Sequence, residues 1–501
     1  MSDNGSFNNA VDQDWADPVE QVKTKKKPSV ASVVISVLTV ACVIAGVVVV
    51  GFTALLPAWI YTVLIVVDVV LASAATVLLF SSRPSKHRIR FWLATALSVV
   101  LTVGNLALVQ AGYYYMHTVD AIQSPQSDTI MYDVVVLDDG PTDISQLDQS
   151  VMGEVENDPL AAIVHGQVMK KVNVSFQSSP TWTGMVDSLT NRDISSMVIQ
   201  DGFMQVLSDA DPDTYSVLRI LDRFEVDTSL GVKPSATPTP APSTGPNNSY
   251  VLYISGIDQY DSITARGRSD VNILMVVNPD TGEVLLVNTP RDFYVQLRGK
   301  AGLPDKLTHA GVYGIDVSVG TMEDLYGITI DYYLRINFNS LITVIDALGG
   351  VDVNSAYDFS NAGYTFHVGI NHLDGKAALA FSRDRYDFAG GDRVRGQNQQ
   401  RVIEAIIKKI SQPSVLMNYP QILTSVQSSI QTSMPQDEIS AQVRRQLATG
   451  TQWDVTSISV DGTGAMDYSF SYPGQRLYVM VPDQSTVNLA KNMIQSTLNG
   501  S

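Results

Sequence analysis

A long run without charge near the start of the chain constrains its fold most. No aspartate, glutamate, lysine or arginine occurs from Ser29 to Val67. A helix needs about 20 apolar residues to cross a bilayer, so this run is too long for one crossing, and Pro57 interrupts it. The pattern predicts three membrane helices within residues 29–112, at roughly 30–53, 58–80 and 91–112.

Basic residues set the expected orientation of these helices. Four lysines lie between Lys23 and Lys27, just before the first helix, and four basic residues lie between Arg83 and Arg90, before the third. Short segments rich in lysine and arginine stay in the cytoplasm. The sequence therefore predicts a multi-pass protein of the cell membrane, with a cytoplasmic tail over residues 1–28 and all later domains outside the cell.

The net charge and the cysteine content exclude several classes of protein. With 33 Lys+Arg against 50 Asp+Glu, the formal net charge is −17, which argues against a general nucleic-acid binder. The single cysteine, Cys42, excludes a disulfide framework and a cysteine-based zinc site. Because no cysteine follows the predicted membrane helices, the exterior part fits a Gram-positive surface better than a eukaryotic ectodomain.

A linker divides the exterior part. Residues 233–248 read KPSATPTPAPSTGPNN, a composition typical of a linker or exposed loop. Before it, residues 120–232 predict a small mixed accessory domain, with a strand at Met131–Leu137, a helical stretch at Thr214–Phe224 and an isolated His165. After it, residues 249–501 predict a larger α/β domain.

Strand and helix patterns alternate within residues 249–501. Two apolar runs, Val271–Val277 and Glu283–Asn288, flank the turn residues Asn278–Gly282, as in a β-hairpin. Further strands are predicted at Tyr250–Ser255, Leu334–Phe338, Val351–Val353 and Arg476–Val481. Helices are predicted at about 339–348, 373–383, 398–412 and 485–498. This mixture predicts an α/β or α+β fold around a central, partly antiparallel sheet.

Arginine concentrates in this acidic domain, at Arg266, Arg268, Arg291, Arg383, Arg385, Arg393, Arg395 and Arg401. The planar guanidinium matches phosphate oxygens in two-point contacts, and several of these residues adjoin strand ends, where α/β sheets place ligands. Two interpretations stay open, a phosphate pocket or ordinary ion pairs. The neighbouring carboxylates are Asp258, Asp270, Asp292, Asp384, Asp387 and Asp392.

Two of these aspartates suggest a metal. Asp258 follows the first predicted strand and Asp270 precedes the second, so both carboxylates reach one sheet edge if the strands are neighbours. Carboxylates without nearby histidine or cysteine suit Mg²⁺. Alternatively, the two aspartates only form hydrogen bonds within turns. The motifs of P-loop proteins, α/β-hydrolases and zinc proteases are absent from the sequence. Together with the arginines, the two aspartates favour metal-assisted phosphoryl chemistry.

Six motifs occur in a fixed order across roughly residues 250–412. They are Gly267–Asp270 (GRSD), Pro290–Asp292 (PRD), Ala347–Val351 (ALGGV), Leu373–Leu379 (LDGKAAL), Ser382–Arg385 (SRDR) and Asp392–Gln400 (DRVRGQNQQ). In these motifs the chain resembles the LytR–CpsA–Psr family. Its layout, with three membrane helices and an intervening accessory domain, is similar to that of the capsule-associated CpsA subgroup.

The resemblance implies an enzyme and its substrates. Members transfer a glycopolymer (a capsule, a teichoic acid or a related polymer) from a polyprenyl-pyrophosphate carrier to peptidoglycan. The product is a phosphodiester, and polyprenyl phosphate leaves. The resemblance also implies an α/β/α arrangement for the catalytic domain over residues 249–501.

Matched position by position, the motifs imply roles for individual residues. Asp258 and Asp270 would bind Mg²⁺, or Mn²⁺ in its place. The pyrophosphate would be held by Arg268, Arg291, Arg383, Arg385, Arg395 and Gln399. The catalytic set would be Arg268, Asp270, Arg291 and Asp292, with Asp270 or Asp292 as candidate general base. Asn398 stands where the family often has arginine, so one positive charge is missing.

Two other functions stay open on the sequence alone. One is a regulatory or scaffold protein of polysaccharide export, with export proteins as partners, although no DNA-binding helix pair is recognisable. The other is a polyprenyl-pyrophosphate hydrolase, in which water replaces the sugar hydroxyl. A helical face formed by Leu341, Val344, Ile345 and Leu348 predicts either a packed core or a groove for the lipid tail.

Overall fold

The computed structural model describes most of the chain outside its first 28 residues. The described residues are 29–53, 58–81, 88–123, 129–228, 248–257, 263, 266–384, 391–416, 418–426 and 429–500. The predicted tail (1–28) and nearly all of the predicted linker (233–248) lie outside them. Contacts divide the chain into two compact units, one within 1–48 and 62–109 and the other within 49–61 and 110–501.

Three long helices occupy the start of the described chain: α1 (Val30–Thr53), α2 (Ala58–Ser81) and α3 (Arg88–Gln123). Each contains at least 21 residues apolar enough to cross a membrane, which confirms the predicted helices. In the first unit, Gly46 of α1 faces Asn105 of α3. A Cβ atom added to Gly46 would lie only 2.1 Å from Oδ1 of Asn105, which shows how closely the two helices approach each other. Small residues commonly permit such contacts between membrane helices.

Residues 129–228, here called the accessory region, form a five-stranded mixed sheet of order β3-β2-β4-β1-β5. Its strands are β1 (Thr129–Leu137), β2 (Val151–Val155), β3 (Ser175–Ser179), β4 (Ser196–Gln200) and β5 (Leu218–Asp227). Its helices are α4 (Ala161–Met169), α5 (Trp182–Thr190), α6 (Asp201–Ala210) and α7 (Pro212–Ser216), and a short 3₁₀ helix spans Ile144–Leu147. His165 contacts Glu154 and stacks on Phe176, as a structural histidine does.

The predicted helix over Thr214–Phe224 is wrong. The helix α7 stops at Ser216, and β5 begins at Leu218. This strand pairs antiparallel with β1 along its whole length, and Phe224 stacks on Tyr132 with ring centroids 6.0 Å apart. Pairing with the open edge of β1 therefore outweighs the local helical spacing of the apolar side chains, as tertiary contacts often do.

Residues 248–500, here called the main region, are built on a six-stranded mixed sheet of order β16-β11-β6-β7-β8-β17. These strands are β6 (Tyr250–Ile257), β7 (Ser269–Asn278), β8 (Glu283–Asn288), β11 (Tyr332–Ile336), β16 (Ile430–Thr432) and β17 (Asp454–Ser459). Strands β7 and β8 form the antiparallel hairpin that Asn278–Gly282 predicts.

Short two-stranded ribbons surround this sheet. They pair β9 (Tyr294–Val295) with β10 (Asp305–Lys306), β12 (Val351–Ser355) with β15 (Gly369–Leu373), β13 (Phe359–Asn361) with β14 (Tyr364–Phe366), and β18 (Gly462–Asp467) with β19 (Leu477–Pro482). The helices are α8 (Ile315–Tyr326), α9 (Phe338–Ala347), α10 (Gly375–Arg383), α11 (Asp392–Ile410), α12 (Pro413–Leu416), α13 (Tyr419–Val426), α14 (Gln436–Thr449) and α15 (Gln484–Asn499), and a 3₁₀ helix spans Leu307–Tyr313.

Helices cover both faces of the six-stranded sheet. Side chains alternate along a strand, so Val251 and Tyr253 of β6 pack on one face, with α8 and α15. Leu252 and Ile254 of the same strand pack on the other face, with Ile407 of α11. This alternation confirms the α/β/α arrangement and explains why the central strands read as nearly continuous apolar runs.

Helices α9, α10 and α11 share a further core beside the sheet. Ile345 and Leu348 are buried in it, and Leu341 and Val344 pack against it. The helix α9 ends before two glycines, Gly349 and Gly350, at φ 72° and 87°, where a C-cap is expected. The predicted apolar face of this helix is therefore mainly a packed core face.

The accessory and main regions share a core within the second unit. Trp182 and Met185 pack in one cluster with Val312, Leu477 and Val479. The indole nitrogen of Trp182 donates to the carbonyl of Ser471 at 3.0 Å. The accessory region and the main region are therefore joined by one continuous hydrophobic core.

A buried aspartate supports this shared core. Asp305 binds Nδ1 of His309 at 2.7 Å and the backbone N–H of Ser471 at 2.8 Å, and it also accepts from the hydroxyl of Ser471. Both Asp305 and His309 have no exposed surface. Burial alone would raise the pKa of Asp305. His309 and Ser471 together have the larger, opposite effect, so this pKa is lowered. His309 thus has a structural position rather than one lining the cavity described below.

Candidate active site

Several chain segments meet at one edge of the six-stranded sheet. Strand β6 runs parallel to β11 and antiparallel to β7, and β8 runs antiparallel to β7. The ends of β6, β8 and β11 and the start of β7 therefore lie at the same edge. Ligands of α/β sheets usually bind at such an edge.

A cavity of about 130 Å³ opens there. One part of its lining is polar and carries Asp270, Arg291, Ser382, Arg383, Arg395 and Gln399. Another part is apolar and carries Ile257, Ile336, Phe338, Leu341, Leu379, Val402 and Ile403. The cavity therefore suits a ligand that joins an anionic group to a hydrocarbon group.

A larger depression, of about 600 Å³, lies at the opposite edge of the sheet, beside Val251 and Asp331. Its arginine, Arg298, already pairs with Glu323 and Asp324. Its lining holds one arginine against three acidic residues, whereas the smaller cavity holds three arginines against one, so this depression is the poorer candidate for binding a phosphate.

Asp270 is the second residue of β7 and the most constrained carboxylate of the site. Its Oδ1 accepts from the hydroxyl of Thr308 at 2.8 Å, and its Oδ2 accepts from Nη1 of Arg291 at 3.1 Å. Burial would raise the pKa of Asp270, but the guanidinium groups of Arg291 and Arg268 and the Thr308 hydrogen bond lower it well below its ordinary value. Asp270 is therefore an anion throughout the physiological range.

Arg291 lies just after β8 and links two aspartates. Besides Asp270, it approaches Asp292, whose Oδ2 lies 3.7 Å from its Nε. Asp292 also binds Nζ of Lys306, at 3.0 Å. Asp292 does not line the cavity, so it lies behind Arg291 rather than beside a ligand.

Helices α10 and α11 bring the remaining cavity residues. Arg395 and Gln399 are four residues apart on α11, so they share one face of that helix. Arg383 ends α10, and its guanidinium carbon lies 4.1 Å from the ring centroid of Phe338. That contact joins the polar and apolar linings of the cavity.

Arg268 lies beside this group without lining the cavity. The loop that carries Arg268 passes closely over the 3₁₀ helix. A Cβ atom added to Gly311 of that helix would lie only 2.4 Å from the carbonyl oxygen of Gly267. Its guanidinium pairs with Asp209 of the accessory region. Burial would lower the pKa of Arg268, but the carboxylates of Asp270 and Asp209 outweigh it and raise this pKa.

The structure therefore brings together a subset of the predicted residues. Asp270, Arg291, Arg383, Arg395 and Gln399 line one cavity, and Arg268 and Asp292 adjoin it. Asp258 and Arg385 lie outside the described residues. Lys306, Thr308 and Asp209 also contact this group, and sequence reasoning missed all three.

The missing arginine at position 398 does not leave a gap in the cavity. Asn398 is fully buried, and its Oδ1 accepts from Arg401 at 2.8 Å. Neither Asn398 nor Arg401 lines the cavity, and Arg393 is exposed near Asp461. Neither Arg393 nor Arg401 therefore has a position in the cavity that could compensate for the missing arginine.

The site offers an oxygen ligand that suits Mg²⁺. Among the described residues, no group of three or more His, Cys, Asp or Glu side chains is arranged to hold a metal ion. Mg²⁺, however, usually takes only one or two carboxylates and completes its coordination with phosphate and water oxygens. The ionised Asp270 on the cavity wall fits that requirement.

The low pKa of Asp270 predicts a pH-dependent contribution to stability. Because its pKa is lower in the folded than in the unfolded chain, Asp270 stabilises the fold above its unfolded pKa of about 4, and this contribution is lost as the pH falls through the folded pKa. Asp270→Asn should therefore lower the melting temperature at pH 7 and do so less at lower pH. Thermal unfolding between pH 7 and the acid limit of folding measures this, with the exposed Asp454→Asn as control. If the difference in melting temperature between the wild type and Asp270→Asn stayed constant with pH, the low pKa of Asp270 would be contradicted.

Comparison with known proteins adds to this geometry. The model of the LytR_cpsA_psr family matches residues 227–492. A Bacillus cereus protein named polyisoprenyl-teichoic acid–peptidoglycan teichoic acid transferase TagU is 37% identical over 189 residues, which cover 38% of this chain and 61% of that protein. The Enterococcus faecalis protein of the same name is 35% identical over 228 residues, 44% of this chain and 73% of that protein.

Solved structures also resemble the chain. The crystal structure of B. subtilis TagU is 29% identical and matches 50% of this chain and 96% of its own, with a TM-score of 0.40. The structure described as TagT bound to LIIa-WTA is 27% identical and matches 50% of this chain and 91% of its own, with a TM-score of 0.41. The matched part of this chain spans less than two thirds of the length of the B. cereus protein.

Proposed function

The chain belongs to the LytR–CpsA–Psr family, and from this we propose that it is a membrane-anchored phosphotransferase. It would move a glycopolymer from a polyprenyl-pyrophosphate carrier to peptidoglycan. The relatives named teichoic acid transferases support a polyisoprenyl-linked donor and a peptidoglycan acceptor.

One observation carries this proposal, namely the division of the cavity lining into a polar and an apolar part. Arg291, Arg383 and Arg395 line it together with several aliphatic side chains. A polyprenyl pyrophosphate has the matching halves, because its pyrophosphate needs positive charge and its tail needs shelter from water. Leu341 of α9 contributes to the apolar part, although most of that helix face packs in the core.

The proposed reaction makes one bond and breaks one. A peptidoglycan hydroxyl oxygen attacks the phosphorus next to the polymer, and the bond from that phosphorus to the bridging oxygen breaks. Polyprenyl phosphate leaves with the bridging oxygen, and the hydroxyl proton passes to a base. Such a reaction depends mainly on positioning and charge stabilisation.

The arginines would supply most of that stabilisation. Arg291 and Arg395 hold positive charge at the cavity wall, and Arg383 adds another at its apolar boundary. Asp270 orients Arg291 through their 3.1 Å hydrogen bond. We propose Asp270, with Asp258, as the ligands of Mg²⁺, which when bound neutralises charge on the pyrophosphate.

The low pKa of Asp270 makes it a weak general base, since an efficient base has a pKa near the working pH. Asp292 sits behind Arg291 and is bound to Lys306. We therefore assign Asp270 a role in holding charge, and neither aspartate is assigned as the base.

Membrane attachment fits a lipid-linked donor. Three apolar helices at the N-terminal end suggest a membrane anchor. With the basic segments inside, the accessory and main regions would lie on the outer side, where the anchor raises their effective concentration on a donor held in the membrane.

The test is a reconstituted transfer reaction with the full-length protein in detergent micelles. A polyprenyl-pyrophosphoryl oligosaccharide, peptidoglycan oligomers and Mg²⁺ are added, and products are followed by mass spectrometry. We expect an oligosaccharide-phosphate adduct on peptidoglycan that disappears when EDTA is added. Release of free oligosaccharide phosphate without the adduct would support hydrolysis instead. Absence of both products would favour the scaffold function.

A further inference from the structure

Helix α6 of the accessory region turns one face toward the loop that carries Arg268. Gly202, Gln205 and Asp209 are spaced i, i+3 and i+7, which places them on one side of the helix. A Cβ on Gly202 would lie 2.7 Å from Cγ1 of Val312. The backbone of α6 is thus pressed against the 3₁₀ helix of the main region, which fixes the position of this face.

Two residues of that face bind Arg268. The backbone N–H of Arg268 donates to Oε1 of Gln205 at 3.2 Å, and its Nη1 donates to the carbonyl oxygen of Gln205 at 3.4 Å. The same Nη1 pairs with the carboxylate of Asp209. The Arg268 side chain is only 11% exposed, so this pair is less screened by water than a surface ion pair.

Gln205 is itself held by a chain of hydrogen bonds. Its Nε2 donates to Oδ2 of Asp201 at 2.5 Å. Arg223 donates to Oδ1 of Asp201 at 2.5 Å and to Oδ1 of Asp133 at 2.6 Å. Asp133 is fully buried in the accessory sheet. The support for Arg268 therefore extends into the centre of the accessory region.

We propose that Asp209 is a positioning residue of the phosphate site, acting with Gln205 to orient the guanidinium of Arg268 beside Asp270. An arginine side chain has many rotamers, and fixing it before the ligand arrives avoids an entropy cost on binding. The accessory region thereby completes the site of the main region. The role of Arg268 in binding phosphate is the one that the family resemblance implies, and it rests on the proposed function, whereas the placement of Arg268 by Asp209 does not.

The placement is tested without any substrate. The full-length protein is treated with phenylglyoxal, which modifies accessible arginines, and the rate at Arg268 is followed by peptide mass spectrometry. In Asp209→Ala we expect this rate to rise about tenfold, because the guanidinium loses the side-chain acceptor that holds it in place. Asp209→Asn keeps an oxygen acceptor and should react nearly as the wild type does. The control is Asp193→Ala, which changes an exposed residue of the same region. An unchanged rate at Arg268 in Asp209→Ala would overturn the proposal.

Binding of geranylgeranyl pyrophosphate, measured by calorimetry, tests the consequence. Asp209→Ala should weaken binding about tenfold, Asp209→Asn should restore it, and Asp209→Ala should have no further effect in an Arg268→Ala background. If Asp209 only competed with the ligand for Arg268, both variants would bind more tightly, and the proposal would fail. If the wild type does not bind the probe, the proposed function loses its support, while the phenylglyoxal rates still decide the placement.

Discussion

Arg291→Ala is expected to reduce the proposed glycopolymer transfer by about 10²- to 10³-fold, the usual cost of removing one donor that stabilises transition-state charge. Arg291 lines the cavity and is bound to Asp270, so its loss removes one cation and leaves a second residue misplaced. Because this charge matters most in the transition state, we expect kcat to fall more than KM rises. The measurement is the initial rate of adduct formation in the reconstituted reaction.

Two variants control for unspecific effects of losing an arginine. Arg192→Ala removes an exposed arginine that also pairs with an aspartate, Asp139, at 2.6 Å, and it should leave the rate unchanged. Arg291→Lys keeps the charge but not the fork-shaped donor, and it should recover only part of the activity. Full activity of Arg291→Ala would contradict the assignment of this cavity as the active site.

Asp305→Ala is expected to lower the free energy of unfolding by about 3–5 kcal/mol, because it removes a buried acceptor, and each buried donor left unsatisfied costs about 1–3 kcal/mol. Asp305 binds both His309 and Ser471 and has no exposed surface. Its loss would leave those groups buried without their acceptor, in the core shared by the accessory and main regions. Urea unfolding followed by tryptophan fluorescence reports this, because Trp182 donates to Ser471.

A second Asp–His pair provides the matched control. His372 and Asp352 are 2.8 Å apart, but both side chains are 65% exposed. Asp352→Ala should therefore change stability by less than about 1 kcal/mol. Equal destabilisation by the two variants would show that burial of the Asp305 pair is not what makes it important.

Local sequence signals were enough to predict much of the main region. The turn residues Asn278–Gly282 and the flanking apolar runs identify the β7–β8 hairpin, and Gly349 and Gly350 mark the end of α9. These features depend on neighbouring residues and on backbone conformation. The strand β5 was missed because its structure depends on pairing with β1, more than 80 residues earlier.

The same distinction explains the site. Asp270, Arg291, Arg383, Arg395 and Gln399 lie in recognisable motifs, and they line one cavity. Thr308 and Asp209 have no such signal, because each acts on a residue distant in sequence, Asp270 and Arg268 respectively. Because Asn398 stands where the family often has arginine, the sequence predicts a site with one positive charge fewer. The side chain of Asn398 is, however, buried beside Arg401. Only the packing of α11 shows that it faces away from the cavity.

The shared core also sets the order in which the chain can finish folding. Trp182 and its partner Ser471 are 289 residues apart, and Leu477 and Val479 close the same cluster. During synthesis the accessory sheet can form early, but one of its apolar faces must wait until residues 471–479 have been made. Such distant contacts form slowly, and an unfinished apolar face promotes aggregation. The last steps of folding are therefore expected to be the slowest and the most exposed to aggregation.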